Sequence, residues 1–218
     1  MATSSEEFSE RGPVPHQNCE FDSITHIYKI NGGIVPNVTR VLADLIPGYR
    51  ASDWYLQRGR AVHACAAMVA KGIAFEHDPR ISGQIEAVRR FFREIKPRVI
   101  VVERPVYSHR YLYAGTPDLV CELNERLIIP DYKAQITKAT IYQCAAYALA
   151  CNEYPRDEMF DAEVRYGVGI ELHEDGTYKM SEIWDLKRPQ QEWLALLTTY
   201  RVRERLGCLK EEELDGPQ

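Results

Sequence analysis

Apolar positions along the chain alternate between short β-type runs and longer helical stripes. Residues 23–30 (Ser-Ile-Thr-His-Ile-Tyr-Lys-Ile) are rich in β-branched and aromatic side chains. They run into Asn31-Gly32-Gly33, a hairpin signal, with Ile34-Val35-Pro36 as a short return. Asn37 is placed to cap a helix over Val38–Leu45, which Pro47-Gly48 ends. Ser52 or Asp53 caps a second helix, Trp54–Ala70, with Gly72 as its stop. Gly59 inside that helix costs about 1 kcal/mol against Ala, so close approach of another backbone is expected there. From Ile81 to Ile95, Ile85, Val88, Phe91, Phe92 and Ile95 share one face while Arg89, Arg90 and Arg93 face away.

The second half of the chain opens with a strand over Val99–Tyr107. Next comes Gly115–Lys133, two apolar strands folded back through Asn124-Glu125. A small-residue helix, Thr137–Ala150, follows directly. Two further strands, Glu163–Leu172 and Thr177–Trp184, flank the turn His173-Glu-Asp-Gly176. Pro189 fits the first turn of a last helix to about Leu206, with Trp193, Leu194, Leu197 and Tyr200 as its stripe. This order predicts an α+β (α/β) fold with a mixed, largely antiparallel central sheet flanked by helices. One domain is expected over residues 21–208, between a disordered acidic arm (1–20, broken by Pro13 and Pro15) and an acidic tail (209–218).

Composition narrows the class without fixing the partner. At 218 residues, 45% hydrophobic and 27% charged, the chain suits one globular domain. No apolar run approaches the roughly 20 residues that span a bilayer, and residues 1–7 lack signal-peptide character. A cytoplasmic protein without membrane contact is expected. The net charge of −5 is concentrated at the ends: Arg11 against Glu6, Glu7, Glu10 and Glu20 leaves −3, and Lys210 against Glu211, Glu212, Glu213 and Asp215 leaves −3. The remainder carries +1, which permits a local basic groove without demanding one. Cys19, Cys65, Cys121, Cys144, Cys151 and Cys208 form no C-x2-C pair, so free thiols and no structural zinc are expected.

The hairpin carries the chemistry. With Leu123 paired to Arg126, the register sets Asp118 against Asp131, and alternation puts Lys133 on the same face as Asp131. Two opposed carboxylates in an apolar hairpin repel unless a cation lies between them. Asp118 and Asp131, with the backbone carbonyl of Tyr132, make an oxygen set for Mg²⁺ or a similar hard ion, and such an ion acidifies water. Lys133 is then placed to orient a nucleophile or stabilise charge on a phosphoryl oxygen. His63 shares a helix face with Gly59, and Gln143 shares one with Tyr147.

Gly115-x-x-Asp118, Asp131-x-Lys133 and Gln143-x3-Tyr147 resemble the core motifs of the PD-(D/E)XK nuclease superfamily. Arg58-Gly59-x3-His63 is similar to its RecB-type exonuclease branch, and Tyr28-x2-Asn31-Gly32 with Val35–Leu42 to phage-type members. The resemblance covers residues 25–150. It implies a restriction-endonuclease-like core and a Mg²⁺- or Mn²⁺-dependent deoxyribonuclease, an exonuclease serving recombination, repair or phage replication. It implies Asp118 and Asp131 as metal ligands, Lys133 as the catalytic lysine, and His63 as a ligand of a second metal position. Glu103 matches a carboxylate on the preceding strand. Gln143 and Tyr147 would position the substrate strand or the lysine, and Arg58 and Arg60 of the helix motif would contact substrate. The implied partners are single- or double-stranded DNA ends and a recombination or replication protein that delivers them. Ala67 departs from the acidic residue that RecB-type helices carry after the histidine. Cys144, Cys151 and Cys208 lack the spacing of the iron–sulfur relatives, so no cluster is expected. A non-catalytic DNA-binding or assembly subunit and a structure-specific endonuclease are the competing readings.

Overall fold

The computed structural model describes residues 18–46, 53–154 and 162–209, the side chains of 53–56 excepted. Residues 1–17 of the expected arm, the Pro47-Gly48 stop, the Ser52 cap and residues 210–218 of the tail lie outside that set. In chain order the elements are β1 (Cys19–Asp22), β2 (Ile27–Ile30), β3 (Gly33–Val35), α1 (Val38–Leu45), α2 (Asp53–Ala70) and a 3₁₀ turn (Pro79–Ile81). There follow α3 (Ser82–Ile95), β4 (Arg98–Val102), β5 (Val106–Ser108), β6 (Tyr113–Gly115), β7 (Leu119–Leu123) and β8 (Arg126–Lys133). The chain continues through α4 (Thr140–Cys151), β9 (Val164–Leu172), β10 (Tyr178–Met180), β11 (Trp184–Asp185) and α5 (Lys187–Arg205).

The central sheet runs β10-β9-β8-β7-β4, with β11 also on β9. Only β8 and β9 are parallel, joined by the α4 crossover that such a pair requires; the other pairs of this sheet are antiparallel. The architecture is the mixed, helix-flanked sheet expected. Side-chain alternation divides its core into two layers. On one face Leu119, Cys121, Ile128 and Tyr132 pack with Ile85, Val88 and Phe91 of α3 and Val62 of α2. On the other, Val120, Leu127 and Ile129 meet α1, α4 and α5 through Val41, Cys144, Ala148 and Trp193. Central strands covered on both sides read as near-continuous apolar runs, as Leu127–Pro130 do.

Helix α4 is mostly apolar because nearly all of it is buried, and its small side chains let it sit close to the sheet. A Cβ on Gly167 of β9 would lie 2.7 Å from Cys144 Cβ, so that approach needs glycine. Asn37 caps α1 as expected, its side chain accepting the Arg40 N–H at 2.8 Å. Gly72, at φ +66°, closes α2 in a Schellman motif, with Ile73 N donating to Met68 O and Gly72 N to Val69 O. No helix among the described residues is long and apolar enough to cross a membrane.

Several local expectations need correction. Ordered structure starts before Ser23, since Cys19 and Glu20 of the expected arm form β1 and pair with Ile30 and Lys29. The strand expected over Val99–Tyr107 breaks at Glu103, whose φ of +47° leaves the β region, and Pro105 cannot donate to a ladder. Its second half, β5, therefore leaves the main sheet to pair with β6. The strand expected over Thr177–Trp184 is also split, because Ser181 uses both its N–H and its hydroxyl on Gly169 of β9. Helix α4 starts at Thr140, three residues late, since the Thr137 and Thr140 hydroxyls satisfy N–H groups in a preceding turn. At Gly59 a Cβ would meet nothing within 4 Å; the close backbone approach occurs at Gly83, whose Cβ would sit 1.8 Å from Glu174 O.

Candidate metal centre

The β7–β8 hairpin has the expected register, with Leu123 opposite Arg126, Glu122 opposite Leu127 and Cys121 opposite Ile128. Asn124 and Glu125 both take positive φ (50° and 61°), the type I′ geometry that matches strand twist. Beyond Cys121–Ile128 the ladder opens, and a side chain takes over. The Tyr132 N–H donates to Asp118 Oδ2 at 3.0 Å, so the Asp118 carboxylate bridges the strands where backbone pairing stops. Asp131 and Lys133 project from the same face of β8, with Lys133 Nζ 2.6 Å from Asp131 Oδ2. Asp131 is 1% exposed, so its carboxylate meets Lys133 away from water. Burial raises its pKa, and the Asp118 charge adds to that rise while Lys133 opposes it.

A second wall closes on Asp118 from outside the hairpin. His63 of α2 reaches it, Nδ1 to Oδ1, at 2.8 Å. Glu103 stands at the left-handed bend after β4, its N–H donating to Asp118 O at 3.2 Å. Ligand atoms of His63, Glu103 and Asp118 lie within 4.8 Å of one another, the group of three potential metal ligands found among the described residues. Burial alone would raise the Asp118 carboxyl, but the charge and hydrogen bond of His63, then Lys133 and the Tyr132 N–H, hold it below the ordinary range. Burial works against the His63 imidazolium, yet Asp118 outweighs it and the pKa is raised. Glu103 is pushed up from the ordinary 4.5 to about 7 by burial and then by the Asp118 charge. A non-glycine residue at positive φ, with a carboxyl reluctant to ionise, concentrates strain of two kinds at one position.

The remaining predicted residues fall into two groups. Gln143 and Tyr147 are buried on α4, the Gln143 amide donating to the Tyr147 hydroxyl at 3.1 Å. The Tyr147 ring packs on Gly115, where a Cβ would lie 2.5 Å from the ring edge. They brace the segment leading to Asp118 from behind, which offers a substrate strand little direct grip. Arg58 reaches Glu174 in the β9–β10 turn at 2.5 Å. Arg60 is exposed, and its charge adds to burial in lowering the His26 pKa. The Tyr132 ring faces the opposite layer, edge-on to Phe91 and His63. Cys121, Cys144 and Cys151 are buried free thiols, with burial pushing all three up, so none is poised as a nucleophile. Sequence reasoning missed Thr116 and Glu171, and singled out Tyr28 in a motif without giving it a role. Glu171 pairs in register with Lys133 and accepts the Ile136 N–H at 3.1 Å, fixing the loop after the lysine.

The donor set suits a hard divalent cation, because carboxylates and one imidazole are the groups that Mg²⁺ and Mn²⁺ accept. Lys133 meets the charge of buried Asp131, and the Asp118 carboxylate nearby adds a second negative charge that a cation would offset. Asp118 belongs to both sets, with Asp131 on one side and with His63 and Glu103 on the other. No protein-family model matches the chain, and no curated protein is detectably similar to it in sequence. Among solved structures, LHK-Exo in complex with dAMP matches over 79% of this chain and 93% of its own, at 12% identity and a TM-score of 0.39. LHK-Exo, an alkaline exonuclease from Laribacter hongkongensis, matches in a second structure over 78% and 92%, at 12% identity and a TM-score of 0.32. Likeness this faint bears on neither the activity nor the substrate of this chain.

Proposed function

We propose that the chain is a Mg²⁺- or Mn²⁺-dependent deoxyribonuclease of the PD-(D/E)XK type, acting as an exonuclease on DNA ends. The observation that carries the reading is Asp118, held by Tyr132 N and His63 Nδ1 between buried Asp131 and Glu103, with Lys133 alongside. Asp118 and Asp131 would hold one cation with the Tyr132 carbonyl, and Asp118, Glu103 and His63 a second. When bound, a divalent cation acidifies water and screens phosphate charge.

The chain's own residues supply the rest. Lys133 Nζ, only about a fifth exposed, is held by Asp131 at the lip of the site, where it orients the attacking water and stabilises charge on the phosphoryl oxygen. His63 must give up its proton to serve as a ligand, so Asp118 sets both its orientation and its proton affinity. The buried Gln143–Tyr147 pair and the Glu171–Ile136 bond hold the two strands that carry the carboxylates and the lysine. The exonuclease assignment rests on the sequence motif around Arg58 and His63.

End-labelled linear DNA and closed circular DNA, each incubated with Mg²⁺ or Mn²⁺, test the reading. Loss of label from the linear substrate, an intact circle, and abolition by chelator or by Asp118→Asn are expected. Nicking of the circle would move the assignment to an endonuclease. DNA binding without cleavage in either metal would move it to a non-catalytic subunit.

A further inference from the structure

The segment that delivers Asp118 is Gly115-Thr116-Pro117-Asp118, the overhang between β6 and β7. Its near end is locked: Ala114 N donates to Pro36 O at 3.1 Å, Asn37 bridges Ala114, and Gly115 is wedged against Tyr147 and Val38. Its far end is held through Asp118, by Glu103 N on the carbonyl and Tyr132 N on the carboxylate. Between them one polar side chain, Thr116, is gripped from an element 88 residues earlier. Its Oγ1 lies 2.9 Å from the hydroxyl of Tyr28 on β2.

Tyr28 is 4% exposed, with its ring stacked on Phe21 and edge-on to Tyr107. That packing asks only for a phenyl ring. The hydroxyl needs a partner once buried, and Thr116 supplies it. Glu103 also lies within electrostatic reach of the Tyr28 hydroxyl. Pro117 removes one backbone freedom between the gripped threonine and the aspartate, so a shift at Thr116 is transmitted to Asp118.

From this geometry we infer that Tyr28 is a positioning residue for the metal centre, acting through Thr116 on Asp118. The β1–β2–β3 sheet is then an outer brace of the site, separate from the central sheet yet bonded to its ligand loop. The inference rests on the metal-centre reading above. Partners bonded directly to a metal ligand are worth about 10–100-fold in metal affinity. Tyr28, one contact further out, is expected at the low end of that range.

The test is Mn²⁺ titration by calorimetry on the full chain, with thermal melting as a control. Tyr28→Phe keeps the ring and its packing, so its melting temperature should stay close to the parent's. Its Mn²⁺ affinity should fall about tenfold. Thr116→Val should give the same loss, Thr116→Ser should restore the parent value, and the double variant Tyr28→Phe/Thr116→Val should lose no more than either alone. Parent-like Mn²⁺ affinity in Tyr28→Phe overturns the inference and leaves the metal centre standing. A parent protein that binds no Mn²⁺ overturns both.

Discussion

Asp118 is bonded through both carboxylate oxygens, to His63 and to the Tyr132 N–H, and through its own carbonyl to Glu103 N. Around it stand groups whose proton affinities are set against one another, the pattern that burial and close charges produce at functional sites. Glu103, Asp131 and His63 all have raised pKa values, so the folded protein binds their protons more tightly than the unfolded chain does. By linkage that stabilisation is present at low pH and is lost as pH rises through the folded values. For Glu103 the window runs from the ordinary 4.5 to about 7. The metal-free protein should therefore melt at progressively lower temperature between pH 5 and pH 8, and saturating Mn²⁺ should flatten that fall. Glu103→Gln should raise metal-free stability at pH 8 by roughly 1 kcal/mol, a value discounted because the carboxyl reaches solvent. The same variant should lose Mn²⁺ binding. A melting temperature that rises with pH over this range without metal would contradict the assignment. Metal binding should also release protons near pH 7, visible as buffer-dependent heats in calorimetry.

Among elements, the β7–β8 hairpin is the part most legible in the sequence. Asn124-Glu125 between alternating runs fixes the register as far as Cys121 opposite Ile128. The expected facing of Asp118 and Asp131 lies beyond it, where the Asp118 carboxylate takes the Tyr132 N–H instead. Helix α1 is equally legible because Asn37 caps it through its own side chain. Glu103 comes only from the resemblance, since alternation along Val99–Tyr107 places it inside a strand and it is the backbone turn at φ +47° that brings it to Asp118. Tyr28 stands out only as part of a motif and Thr116 not at all, because their bond is purely tertiary. Gly59 misleads because helix propensity flags a cost without saying what offsets it. Two glycine substitutions separate these cases in thermal melts. Gly59→Ala, with open space around the new Cβ, should stabilise by about 1 kcal/mol. Gly115→Ala forces a methyl group against the Tyr147 ring and should destabilise by about 1–3 kcal/mol while weakening Mn²⁺ binding.

At the scale of the whole molecule, several arginines among the described residues are held in ion pairs. Arg90 pairs with Glu94, Arg93 with Glu86, Arg165 with Asp185, Arg188 with Glu192 and Arg203 with Asp44. The exposed pairs among them add little to stability, and each cation so paired is less available to phosphates. DNA affinity should accordingly show a shallow salt dependence, with a log–log slope no steeper than about −4, and a fluorescence anisotropy titration across salt concentrations reads it directly. A steep slope would point to a basic groove. The most direct measurement of the central claim is digestion of end-labelled linear DNA in Mg²⁺ by the parent and by Lys133→Met, with Mn²⁺ binding followed in parallel. The account predicts metal-dependent loss of label by the parent, and at least about a hundredfold slower loss in the variant with Mn²⁺ still bound. Equal rates in the two proteins, or no cleavage by the parent, would contradict it.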